Sequence, residues 1–206
     1  MVKLRLFPQE TAGLQALARM AGQIEAGTHS LAELLGAGRG DFAALTENLR
    51  RQEASSTADF ATLLTTMRTS FINPLPREDL YTLGQLLNET SEILSGAGEV
   101  IELYSLDRSP NRVSDQLEIL SRQAELTTEA MKSLNDLDGL EDYWLEVLKL
   151  AKRADHTHRI VVAELLEAHS PTTFSKYKTL SDQFAAASRQ MRTIATQVGS
   201  IIVKES

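Results

Sequence analysis

The sequence predicts an all-α chain: six long helices forming two tandem antiparallel three-helix bundles. Three observations carry this. No window shows the period-two alternation of β-branched residues that a strand requires, while Leu, Ala, Glu, Gln, Thr and Ser dominate. Turn-forming clusters divide the 206 residues into stretches of roughly 25 to 33 residues, each about 40 Å long at about 1.5 Å per residue. Two of those stretches also carry the same heptad-like seam at a constant separation.

In chain order, the first helix ends at the connector Gly36-Ala-Gly38-Arg-Gly40 and the second runs to the segment from Asn73 to Pro76. Proline removes a backbone donor and collides with the preceding turn, so Pro74 and Pro76 force a reversal there. Asn73 suits the close of the second helix and Pro76 the opening of the third. Glu78 and Asp79 then set negative charge on the positive end of the third helix's macrodipole. The third helix ends near Asp107-Arg-Ser-Pro110, the fourth between Asn135 and Gly139, and the fifth at His169-Ser-Pro171. Ser109 and Ser170, each followed by proline, are expected N-caps of the fourth and sixth helices.

The third helix presents Leu80, Leu83, Leu87, Thr90, Leu94, Ala97, Ile101 and Tyr104. The sixth presents Tyr177, Leu180, Phe184, Ala187, Met191, Ile194, Val198 and Ile201, the same steps displaced by 97 residues. At that displacement Asn73-Pro74 coincides with Ser170-Pro171. Leu63, Leu64 and Met67 meet Val161, Val162 and Leu165 at a displacement of 98. A tandem duplication is therefore expected within a single domain 1–206, with one three-helix repeat over 9–104 and the second over 109–203, packed at shallow angles.

Composition narrows the function. With 21 basic against 28 acidic residues the net charge is −7, and the basic residues are scattered, so no nucleic-acid footprint exists. There is no cysteine, which removes thiolate catalysis, disulfides and cysteine-ligated zinc and fits a reducing compartment, with the cytoplasm the expected location. The opening Met-Val-Lys-Leu-Arg-Leu-Phe-Pro lacks the uninterrupted apolar core of a signal peptide. No Glu-x-x-His pair supports a di-iron bundle, the glycine connector follows a helix and lacks a lysine-hydroxyl ending, and no Ser/His/Asp order has local support. An enzyme is not expected.

Several polar residues stand out. Glu53 projects from the apolar stripe of the second helix, Phe42, Leu45, Leu49, Phe60, Leu63, Met67 and Phe71, with Thr57 at its edge. It reads either as a carboxylate reaching the bundle edge or an arginine, or as a metal ligand. Asn88, Glu89 and Glu92, at i, i+1 and i+4 on the third helix, read either as a solvated polar face or as oxygen ligands for a hard cation. His158 lies in the apolar stripe of the fifth helix and reads as a hydrogen-bonded core residue, while Asp155 has Arg159 one turn on as an expected partner.

The hairpin wording, Phe71-Ile-Asn-Pro74 followed by Pro76-Arg77-Glu78-Asp79-Leu80-Tyr81, resembles the PhoU-like family, whose hairpin reads Thr-Phe-x-Thr/Asn-Pro-x-x-Arg-Glu-Asp-Ile. The resemblance is strongest over residues 45–104. It implies two three-helix bundles and an accessory or regulatory role beside a Pit-type inorganic phosphate transporter, at the inner face of the membrane and through protein contacts. Members of the family carry Glu-x-x-x-Asp on the second and fifth helices, and an acidic triplet on the third and sixth, around multinuclear metal clusters. On this chain Glu53 fills the first acidic place and Thr57 replaces the aspartate, while Asn88, Glu89 and Glu92 stand where three aspartates are usual. In the second half Asp155 remains, but Ala151, Ala185, Arg189 and Arg192 take acidic places. The resemblance thus implies a degenerate metal site at Glu53, Asn88, Glu89 and Glu92, for no metal or for one divalent ion such as iron, and a second site dismantled by arginines. A self-associating helical scaffold is the alternative, and a homodimer is compatible with either reading.

Overall fold

The computed structural model describes residues 12–70, 73–107 and 109–205. The amino-terminal stretch, Phe71 and Ile72 of the hairpin signature, and Arg108 lie outside the described residues. Among the described residues there are six α-helices and no strand: α1 Ala12–Gly36, α2 Phe42–Thr69, α3 Arg77–Tyr104, α4 Asn111–Lys132, α5 Leu140–Ala168 and α6 Pro171–Glu205. A single 3-10 turn, Arg39–Asp41, joins α1 to α2.

The paired seams are the core. Every residue of the α3 and α6 lists is buried except Tyr104, which is 37% exposed as the last residue of α3. On α2 and α5 the expected pairs agree in burial too, with Leu63 and Val161 buried, Leu64 and Val162 half-buried, and Met67 and Leu165 buried. Helices α1, α2 and α3 pack mutually, as do α4, α5 and α6, and the triplets join through α3 on α6 and α1 on α4. These four form the centre, with α2 and α5 on the flanks. One continuous apolar cluster runs through both triplets. The flanking position explains why α2 buries only six of its 28 residues where α3 buries twelve of 28.

Two glycines set the spacing of α2 against α3. A Cβ on Gly98 would stand 2.4 Å from Leu49 Cδ1, and one on Gly84 would stand 2.6 Å from Leu63 Cδ2 and 2.8 Å from the Phe60 ring. Only glycine lets the helices approach this closely. The positions displaced by 97 in the second triplet are Ser181 and Ala195.

Two expected boundaries shift. Helix α2 stops at Thr69 rather than Asn73: Ser70 is already extended, its N–H closing on the Thr66 carbonyl at 2.8 Å. The hydroxyls of Thr65, Thr66 and Thr69 each donate to the carbonyl four residues back, and this β-branched run weakens the last turns before the prolines. Ser109 is not the N-cap of α4. That helix begins at Asn111 with Pro110 in the cap position, and Ser109 Oγ is buried without a hydrogen-bond partner. Ser170 behaves as expected, its Oγ accepting from the Thr173 N–H at 3.4 Å ahead of Pro171. Helix α3 closes on Ser105 in the left-handed region (φ 54°), with Leu106 N–H reaching back to the Ile101 carbonyl at 3.0 Å and Leu106 buried beneath the turn.

Candidate functional site

Three polar constellations interrupt the apolar packing. The first joins α2 to α3. Thr57 Oγ1 donates to Asn88 Oδ1 at 3.1 Å, and Asn88 Nδ2 donates to Glu92 Oε1 at 2.7 Å. Glu89 turns a different way: Oε1 accepts from Gln85 Nε2 at 2.8 Å, and Oε2 accepts from Gln190 Nε2 of α6 at 2.6 Å. Glu89 therefore helps hold the two triplets together. Glu53 is half-buried, and the deepest position at its level of α2 belongs to Ser56, which is fully enclosed. So Glu53 flanks the seam instead of standing in it. The oxygens of Asn88, Glu89 and Glu92 are divided among amide and hydroxyl partners, and among the described residues no group of three or more His, Asp or Glu side chains is arranged to hold a metal ion. These side chains do not fit the multinuclear clusters that members of the family carry. In the second triplet Ala151 and Ala185 are buried, whereas Arg189 and Arg192 are exposed.

The second constellation lies among α4, α5 and α6. His158 Nε2 is 3.3 Å from Asp182 Oδ1, and His158 Nδ1 is 3.0 Å from Ser181 Oγ. Ser181 Oγ in turn is 2.7 Å from Gln116 Oε1, and Gln116 Nε2 donates to the Ser181 carbonyl at 3.4 Å. Asp182 is also held by Lys178 at 2.6 Å. Burial depresses the His158 pKa below the ordinary histidine value, Asp182 opposes this, and the positive charges of Arg189 and Lys178 add to the depression. His158 is thus hydrogen-bonded, as its place in the stripe predicted, but half-buried between α5 and α6 and not enclosed in the core. Superficially the set resembles a Ser/His/Asp triad, but Ser181 is wholly buried and no substrate reaches its hydroxyl. The expected pairing of Asp155 with Arg159 does not form. Asp155 is half-buried and Arg159 exposed, and at such a surface an isolated ion pair contributes little.

The third constellation anchors the signature hairpin. Asp79 is only 2% exposed, and its Oδ1 accepts from Lys204 Nζ and from Gln197 Nε2, each at 2.8 Å, both from the carboxyl-terminal part of α6. Arg77 Nη2 donates to the Ser70 carbonyl at 3.1 Å and closes the turn. Sequence reasoning assigned Asp79 to the helix dipole alone. Its second role, clamping α6, had no local signal, because Lys204 lies 125 residues away in sequence. The pairs Asp79–Lys204, Glu89–Gln190 and Tyr104–Lys176 show α3 and α6 running antiparallel.

No protein-family model and no curated protein matches the chain. Solved structures do. A PhoU-like protein from Shewanella oneidensis MR-1 superposes with a TM-score of 0.73 at 11% identity, covering 93% of this chain and 99% of that one. The fold is PhoU-like. A PhoU-like phosphate regulatory protein from the same organism superposes with a TM-score of 0.72 at 12% identity, over the same 93% and 99%. The PhoU-like fold thus accounts for nearly all of the chain, and the hairpin closed by Arg77 and Asp79 sits at one end of it. Among the described residues no helix is long and apolar enough to cross a membrane.

Proposed function

We propose that this chain is an accessory or regulatory protein of inorganic phosphate transport, acting by protein–protein contact with a membrane transporter of the Pit type and not by catalysis. The observation that carries the reading is the signature hairpin. Its Arg77, Asp79 and Leu80 occupy the turn, the inter-triplet clamp and the core of a PhoU-like fold. The second-triplet arginines, with the divided oxygens of Asn88, Glu89 and Glu92, favour a role resting on scaffold and surface over one resting on a metal cluster. The chain would act at the inner face of the membrane, held there by its partner.

Phosphate uptake in a deletion strain and its parent under phosphate limitation tests this. A changed uptake rate, restored by the wild-type gene and accompanied by co-purification of a phosphate transporter with the tagged protein, is expected. Identical uptake with no transporter recovered would overturn the reading.

A further inference from the structure

The outward faces of α5 and α6 enclose a groove of about 650 Å3 at the end of the bundle where α6 finishes. Its walls include Trp144, Leu145, Thr196, Gly199, Ile202 and Val203. Gly199 contributes to this shape: a Cβ there would stand 3.2 Å from the indole, so its absence lets Trp144 lie close against the helix. Leu145 is 46% exposed and Val203 80% exposed. Large apolar side chains left open along a concave surface mark a place where another chain packs.

The helix faces that bear the groove continue in register toward the middle of the bundle. Thr196, Gly199 and Val203 follow steps of three and four along α6, and the same steps carried backward reach Arg192 and Arg189. On α5, Glu141 and Leu145 continue through Leu148 to Lys152, Asp155 and Arg159. The two helices run antiparallel, with Trp144 against Gly199 and His158 against Asp182, so these continuations flank one furrow. The charge of Arg189 is felt at His158, which places it beside that furrow.

Lys152, Arg159, Arg189 and Arg192 are exposed, and none forms an ion pair with a described residue. Other surface cations are engaged, as in Arg19–Asp59, Arg50–Glu99, Arg112–Glu164 and Lys204–Asp79, while Arg68, Lys132 and Arg153 are exposed without an ion pair to a described residue but lie off this strip. Against these four cations the strip sets the carboxylates Glu141 and Asp155, with Asp182 already held by Lys178, leaving a local positive excess on a chain of net charge −7. We propose that the α5–α6 furrow docks an acidic amphipathic helix of a partner protein, with apolar side chains in the Trp144–Val203 groove and carboxylates on Arg189, Arg192, Lys152 and Arg159. This deepens the docking role proposed above and rests on it. From Val203 back to Arg189 the furrow spans roughly 20 Å, about four turns of helix. A concave furrow between two helices accepts the ridge of a third, whereas a flat anionic bilayer would not enter it and would repel the chain's net charge.

The test is fluorescence anisotropy with a labelled amphipathic peptide of about 18 residues, bearing Leu and Phe at i, i+4 and i+7 and glutamate elsewhere. Saturable binding is expected, weakened at least about tenfold by the pair Arg189→Glu and Arg192→Glu and by Val203→Glu, and unchanged by Arg68→Glu on α2. All the substituted side chains are exposed, and far-ultraviolet circular dichroism checks that each variant keeps its helices. Equal binding by every variant, or equally tight binding of a peptide with lysine in place of glutamate, would overturn the proposal. So would co-sedimentation with phosphatidylcholine–phosphatidylglycerol vesicles that depends on the two arginines while the acidic peptide fails to bind, since the strip would then be a membrane contact. The two readings fail separately: unchanged phosphate uptake on deletion ends the transport role, and furrow-independent peptide binding ends this one.

Discussion

Substituting alanine at Gly98 and, separately, at Gly96 measures how closely α2 must approach α3. Both positions lie inside α3, two residues apart, and each exchange removes the same helix-propensity penalty of about 1 kcal/mol. Around a Cβ on Gly96 nothing stands within 4 Å, so that variant should gain most of this amount. At Gly98 the added methyl would stand 2.4 Å from Leu49 Cδ1, with Leu34 Cδ2 at 3.7 Å. Leu49 is 2% exposed and Leu34 fully enclosed, so neither turns aside freely. Overpacking of this kind costs about 1–3 kcal/mol. The propensity gain is common to both variants and cancels, so the strain alone separates them, by about 1–3 kcal/mol or roughly 2–10 °C in Tm for a chain this long. Urea unfolding followed at 222 nm reads the difference. Leu49→Val should also cost less in the Gly98→Ala background than alone, because the two changes compete for one space. Equal stability of the two alanine variants, within about 0.3 kcal/mol, would refute the account of helix spacing.

Other expectations follow from the same geometry. Burial holds the His158 pKa below 6.5, so the unfolded chain takes up a proton before the folded one does. Stability is then fully present above that value and falls as pH drops through it, and His158→Gln should flatten the component between pH 7 and 5, read by urea unfolding at each pH with the ring followed by NMR. Asp79→Asn keeps one acceptor but loses the charge that Lys204 binds, and should cost about 1–2 kcal/mol while speeding amide exchange in the last turns of α6 ahead of the rest. Exchange accelerated evenly over the whole chain would contradict the clamp. Leu87→Ala, at a fully enclosed seam position, should cost about 2–5 kcal/mol, whereas Leu166→Ala, 64% exposed, should stay within about 0.5 kcal/mol in calorimetry.

How far the sequence reached depends on the range of the physics involved. Helix identity and the α3 and α6 seams were legible because burial at steps of three and four depends on residues in the same helix. Prolines and glycines mark helix ends for equally local reasons. Ser109 misled because a serine before proline signals a cap only if the chain enters the helix there, and the bundle instead buries its hydroxyl. The Asp155–Arg159 pairing failed because spacing makes such a contact available without making it favourable. Around the expected metal site the sequence named Asn88, Glu89 and Glu92 but gave no sign of their hydrogen-bond partners. Thr57 belongs to a neighbouring helix, and Gln190 stands 101 residues from Glu89.

By itself, then, the sequence determined six helices, their doubled seam and the hairpin between the second and third, since each follows from backbone sterics and from apolar spacing along one stretch of chain. Only the tertiary structure decided that α1, α3, α4 and α6 share one core, that Asp79 clamps Lys204, that Glu89 turns to Gln190, and that Trp144, Leu145 and Val203 line an open groove beside Gly199. Those outcomes depend on which faces meet. That is settled by complementary packing and hydrogen bonding between segments about a hundred residues apart, which no local pattern encodes.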